Sequence, residues 1–125
     1  MRVYTVVVAD DDADIRELIA IAIERAGLRL VASVGDGESA LAAIREHVPD
    51  LAVVDGAMPG LSGREVVRRV RADESLAEVR TLLLSASVDE QSRQRGIDAG
   101  ADHFLPKPFS LRAFTEWLAV GKEPR

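Results

Sequence analysis

VYTVVVADDDADIRELIAIAIERAG, residues 3–27, holds the pattern from which the fold follows. It opens on an apolar, β-branched run, Val3 to Ala9, which has the length of a strand and suits burial on both faces. The polarity then inverts at once, with Asp10, Asp11, Asp12 and Asp14. Beyond them Ile15, Leu18, Ile19, Ala22 and Ile23 fall at helical spacing, and Gly27 suits the stop. A buried strand, an acidic turn and an amphipathic helix make one βα unit.

The same beat continues down the chain. Leu28 to Val34 is a second strand, ended by Gly35-Asp36-Gly37, and Ala40, Leu41, Ile44 and Val48 mark a helix closed before Pro49. Leu51 to Asp55 is a short apolar strand ending on a carboxylate. Pro59, Gly60 and Gly63 make a loop, inside which Ser62 and Glu65 form a capping box for a helix carrying Val66, Val67 and Val70. Thr81 to Ser85 is a fourth strand. Asp89 to Ala99 is a fourth helix stopped by Gly100, with Ile97 as its one large apolar residue and Gly96 inside it. His103 to Leu105 is a fifth strand, and Ser110 caps a fifth helix bearing Leu111, Phe114, Trp117 and Leu118. Five such units predict an α/β fold, a doubly wound parallel sheet with helices on both faces.

With 125 residues the chain is one domain, residues 1–121, with 122–125 as a tail. A hydrophobic share of 47% and a charged share of 30% exclude wholesale disorder and low-complexity structure. The absence of cysteine excludes disulfide scaffolds, thiol catalysis and Cys-based zinc sites. A net charge of −5 argues against direct nucleic-acid binding. Val6 to Ala9 is too short for a signal-peptide core, and no window holds the ~18 apolar residues of a membrane span. The expectation is a soluble, cytoplasmic chain without membrane contact.

In open parallel sheets ligands bind outside the carboxyl ends of the strands. Just past those ends stand Asp10 and Asp11, Asp55, Ser85 with Ser87, and Lys107 between two prolines. Carboxylates gathered so closely raise each other's pKa, and burial adds to the penalty. A hard divalent cation such as Mg²⁺ resolves the conflict and shares its shell with a phosphate. A Lys and a Ser add donors to phosphate oxygens. The chemistry suggested is phosphoryl transfer, in which an Asp can itself be the nucleophile.

VVVADDDADIREL (6–18), PDLAVVDGAMPGLSG (49–63), TLLLSAS (81–87) and GADHFLPKPF (100–109) together resemble the receiver domain of bacterial two-component response regulators, over nearly the whole chain. The resemblance implies a flavodoxin-like sheet of order 2-1-3-4-5 with five helices. It implies Asp55 as phosphoacceptor, and Mg²⁺ held by Asp10, Asp11, Asp55 and the backbone carbonyl of Ala57. Lys107 and Ser85 would contact the phosphoryl group, with Ser85 and Phe104 as the switch. The donor would be a histidine kinase or a histidine phosphotransfer protein, and the signal would pass to an effector domain or protein. A homodimer through the fourth and fifth helices is a further partner that the resemblance allows. The only catalysis implied is phosphorylation and dephosphorylation of the chain's own Asp.

Other readings stand beside this one. An Asp-nucleophile phosphatase would want a general acid two residues past Asp55, where Ala57 stands; a silent interaction module would need a damaged site. Small residues at Ala57 and Ser87 imply ready access of water and a short-lived phosphoryl group. Gly56 replaces the larger apolar residue that receivers usually carry. Asp12 and Asp14 read as capping and dipole compensation. Arg64, Arg68 and Arg71 share a helical face and read as solvated; His47 and His103 read as surface residues, and Phe114 and Trp117 as core. The fourth helix, with few apolar anchors and an internal glycine, reads as the element free to move.

Overall fold

The computed structural model describes residues 3–86 and 89–121. Strands β1 (Thr5–Ala9), β2 (Arg29–Val34), β3 (Leu51–Asp55), β4 (Arg80–Ser85) and β5 (His103–Pro106) form one parallel sheet in the order β2-β1-β3-β4-β5. Helices α1 (Ala13–Arg25), α2 (Gly37–His47), α3 (Gly63–Ala72), α4 (Glu90–Asp98) and α5 (Leu111–Gly121) connect and flank it. The predicted elements and their order are all present. The first strand begins at Thr5, two residues later than the apolar run, and Val3 is exposed. A 3-10 turn, Glu74–Leu76, is additional; it buries Leu76 beneath the α3–β4 connection. No helix among the described residues is long and apolar enough to cross a membrane.

Alternation along each strand divides the core. Val7, Ala9, Ala52 and Val54 face α2 and α3, whereas Val6, Val8, Val53, Leu82 and Leu84 face α1 and α5. Phe114 is buried in the second cluster, while Trp117 is only partly buried and meets the ring of His103 edge-on at 5.1 Å. A third, small cluster joins Val67 of α3, Leu83 and Ala99, with Phe104 against it.

The helix starts follow their capping chemistry. Asp12 caps α1 by accepting from the Asp14 amide at 2.9 Å, so its structural role holds. Asp36 caps α2, and Ser39 donors hold its carboxyl below the usual range. Ser62 accepts from the Glu65 amide at 3.2 Å, but the Glu65 carboxylate turns outward to Arg68 and Arg69, so half of the predicted box forms. Ser110 Oγ accepts from the Ala113 amide at 3.0 Å. Helix α2 stops at His47: Val48, expected within it, takes a left-handed conformation with φ 41° ahead of Pro49. That region is costly for a β-branched residue.

Helix α4 departs most from its expectation. Ile97, the expected anchor, is 44% exposed, and Gly96 is buried instead. A Cβ on Gly96 would come within 2.9 Å of Leu83 Cδ2 and 3.4 Å of Phe104 Cδ2. The glycine is therefore the close approach that seats α4 on the sheet.

Two matching devices close the amino ends of the strands. Asp50, just before β3, accepts from the Thr5 amide (2.8 Å) and hydroxyl (3.3 Å), and its own amide donates to Thr5 Oγ1 at 3.2 Å. Asp102, just before β5, binds Thr81 of β4 in the same way, at 2.8, 3.3 and 3.1 Å. Each Asp holds the threonine of the neighbouring strand, at the end of the sheet away from the carboxyl rim.

Candidate functional site

The pairing of Ala9 with Val54 sets the next residues, Asp10 and Asp55, side by side at the carboxyl rim. Asp10 is wholly buried. Its amide donates to Val34 O at 3.1 Å, and its carbonyl accepts from Arg16 Nη1 at 2.7 Å. Its carboxylate is held on both oxygens: Oδ1 accepts from the Asp12 amide at 2.9 Å, and Oδ2 from Lys107 Nζ at 2.8 Å.

Asp55 is 5% exposed, and its Oδ1 lies 3.3 Å from the same ammonium. Burial first, and the neighbouring Asp10 charge second, push its carboxyl above the ordinary range, against the opposing pull of Lys107. For Lys107 burial works against the charge. The hydrogen bond to Asp10 and the charges of Asp55 and Asp10 outweigh it, so the ammonium is held above its ordinary value. The Lys107 amide donates to Ser85 O at 2.7 Å, which ties the β5 end to the β4 end.

Glycines fit the loop around Asp55 into place. The Gly56 amide donates to Leu84 O at 2.7 Å, and a Cβ on Gly56 would lie a tight 3.2 Å from that oxygen. A Cβ on Gly63 would overlap the Asp55 carbonyl oxygen, so α3 starts hard against the end of β3.

A cleft of about 420 Å³ opens at this rim. Of the residues singled out from sequence, Asp11, Asp55, Ala57, Ser85, Phe104 and Lys107 line it, and Asp10 lies behind Lys107. Ser87 falls outside the described residues. Asp10, Asp11 and Asp55 each offer a carboxylate oxygen within 4.8 Å of the others. A profile of the response regulator receiver domain matches residues 6–119.

The chain belongs to the response regulator receiver domain family.

Among its relatives, the phosphate regulon transcriptional regulatory protein PhoB of Pseudomonas aeruginosa is 38% identical over 108 residues, covering 86% of this chain and 47% of that protein. The chain thus spans about half the length of the curated relatives it matches. The signal receiver domain of the response regulator NarL from Mycobacterium tuberculosis superposes with a TM-score of 0.89 at 31% identity, covering 99% of this chain and 100% of that one. The chemotaxis response regulator CheY4 of Vibrio cholerae gives 0.88 at 27% identity, covering 96% and 99%.

In this receiver the donor set suits a hard divalent cation: three carboxylates, of which two are buried and one is exposed to admit the ion. A cation there would relieve Asp55, whose ionised form burial and the Asp10 charge oppose.

The three arginines expected to share a solvent face divide. Arg68 is exposed and pairs with Glu65 at 2.9 Å. Arg71 folds inward, lays its stem over Gly100 and donates to the Val79 carbonyl. Arg64 lines the receiver's cleft, as does Arg95 of α4. Sequence reading missed both as site residues. For Arg64 a signal existed: it is a cation in the first turn of a helix, where the macrodipole disfavours one. Arg16, which grips the Asp10 carbonyl, carries the same signal in α1.

Proposed function

We propose that Asp55 accepts a phosphoryl group from the phosphohistidine of a histidine kinase or phosphotransfer protein, and that its arrival signals to an effector domain or protein. The observation that carries this reading is the single ammonium of Lys107 spanning Asp10 and Asp55, beside a cleft that admits a phosphate. Asp55 Oδ forms the new bond to phosphorus, and the bond to the imidazole nitrogen breaks. Mg²⁺, held by Asp10, Asp11, Asp55 and the Ala57 carbonyl, would neutralise charge on the phosphoryl oxygens. Lys107 and the Ser85 hydroxyl would donate to those oxygens in the product. Lys107 is pre-placed by its amide bond to Ser85 O, so its donors need little reorganisation.

Ser85 and Phe104 line the same cleft, and Phe104 also borders Gly96. A hydroxyl drawn toward the phosphoryl group would shift the wall that seats α4, with Phe104 reporting the change. The receiver unit is residues 1–121, with 122–125 as a tail, working in the cytoplasm. Ile97 and the His103–Trp117 pair give the α4 and α5 side an apolar surface on which a second copy could pack.

Intact mass after incubation with acetyl phosphate and Mg²⁺, repeated with Asp55→Ala, tests the assignment. One added phosphoryl group, absent in the variant, is expected. A wild-type chain that gains no mass, or a variant that still gains it, overturns the reading.

A further inference from the structure

Arg64 and Arg95 reach one cleft from different helices: Arg64 is the second residue of α3, and Arg95 lies in the last turn of α4. Their neighbours Arg68, Arg69 and Arg93 are each paired with a glutamate of their own helix. Among the described residues neither Arg64 nor Arg95 makes an ion pair, and Arg95 donates to the neutral Ser92 Oγ at 3.0 Å. Lys107 is already engaged by Asp10 and Asp55. The cleft is therefore lined by two arginines not engaged by carboxylates, and by the carboxylate that would attack phosphorus. A guanidinium fork matches the two oxygens of a carboxylate or a phosphate.

We propose that Arg64 and Arg95 set the preference among small phosphodonors, speeding transfer from acyl phosphates relative to phosphoramidate itself, and do not act on a phosphohistidine presented by a protein; this rests on Asp55 being the phosphoacceptor. With an acyl phosphate, the Asp55 Oδ–P bond forms as the bond from phosphorus to the acyl oxygen breaks. The electron pair leaves on a carboxylate, and no proton is required. With phosphoramidate the P–N bond breaks, and ammonia departs with the protons it already carries. Only the first leaving group is an anion. It must leave on the side away from Asp55, through a cleft flanked by the two arginines. Charge developing there is what the guanidiniums stabilise.

The test measures phosphorylation of the full chain by intact mass, with acetyl phosphate and with phosphoramidate, in wild type, Arg64→Gln, Arg95→Gln, the double variant and Arg68→Gln. The ratio of the two rates should fall about fivefold or more in the double variant, part-way in each single one, and not in Arg68→Gln. High salt should shrink the wild-type ratio toward that of the double variant. A second readout is independent of turnover: the Nε–H resonances of Arg64 and Arg95 should move on titration with phosphonoacetate, which carries both anionic groups, more than with methylphosphonate. An unchanged ratio in the double variant, an equal loss with both donors, or unmoved resonances overturns the proposal. In each of those outcomes wild type still gains mass, which separates them from failure of the Asp55 assignment, where neither donor adds any.

Discussion

The ammonium of Lys107 lies 2.8 Å from Oδ2 of Asp10, across 97 positions of chain. It also lies 3.3 Å from Asp55 Oδ1, so one cation holds two buried carboxylates. A divalent ion binding the same carboxylates must share them with it.

Lys107→Met should therefore cost more without metal than with it. Without Mg²⁺ the carboxylates lose their only adjacent cation among the described residues, and stability should fall by about 2–3 kcal/mol. With saturating Mg²⁺ much of that loss should return, and the variant's Tm should rise more on Mg²⁺ addition than that of wild type. Equal Mg²⁺-induced shifts in a thermal scan would show that Lys107 and the metal do not compete.

Asp55→Asn probes the raised carboxyl pKa. A carboxyl whose folded pKa lies above its unfolded value of 3.8 binds protons more readily in the folded state. Folding thus loses stability from this group as pH rises from about 3.8 through the folded value, and the cost is constant above it. The variant should be more stable than wild type at neutral pH without Mg²⁺, by a margin that shrinks as pH falls toward 3.8. Paired urea titrations across that range check the sign, and a margin that grows on acidification would refute it.

Gly63→Ala should damage the site more than its size suggests. The added methyl meets the Asp55 carbonyl, a backbone atom that cannot swing aside. We expect a loss of about 3 kcal/mol or more. In the fraction that folds, phosphorylation by acetyl phosphate should be slowed, because Asp55 must shift. Phosphorylation at the wild-type rate in folded protein would show that α3 and β3 are not so tightly joined.

Asp102→Ala removes the acceptor for the Thr81 amide and hydroxyl, and Thr81 is fully buried. The cost should be about 1–3 kcal/mol by urea denaturation, with Mg²⁺ affinity unchanged, because the clamp stands at the opposite edge of the sheet. Asp50→Ala should behave alike at Thr5. A change in Mg²⁺ affinity would point to coupling through the strands.

The chain by itself determined the order of strands and helices, most caps, and the acids at the rim. Those features are written in local periodicity and turn chemistry, which act over a few neighbouring residues. Where local rules competed with packing, the sequence was silent. Gly96 reads as a weak point in a helix and is a seat against Leu83, and Ile97 reads as an anchor and faces water. Arg64 and Arg71 stand seven positions apart on one helix, yet one enters the cleft and the other caps the Val79 carbonyl. The two Thr–Asp clamps and the Lys107–Asp10 bond join residues distant in the chain. Only the tertiary structure decided these, because strand register and the rotation of each helix against the sheet place side chains that no local pattern relates.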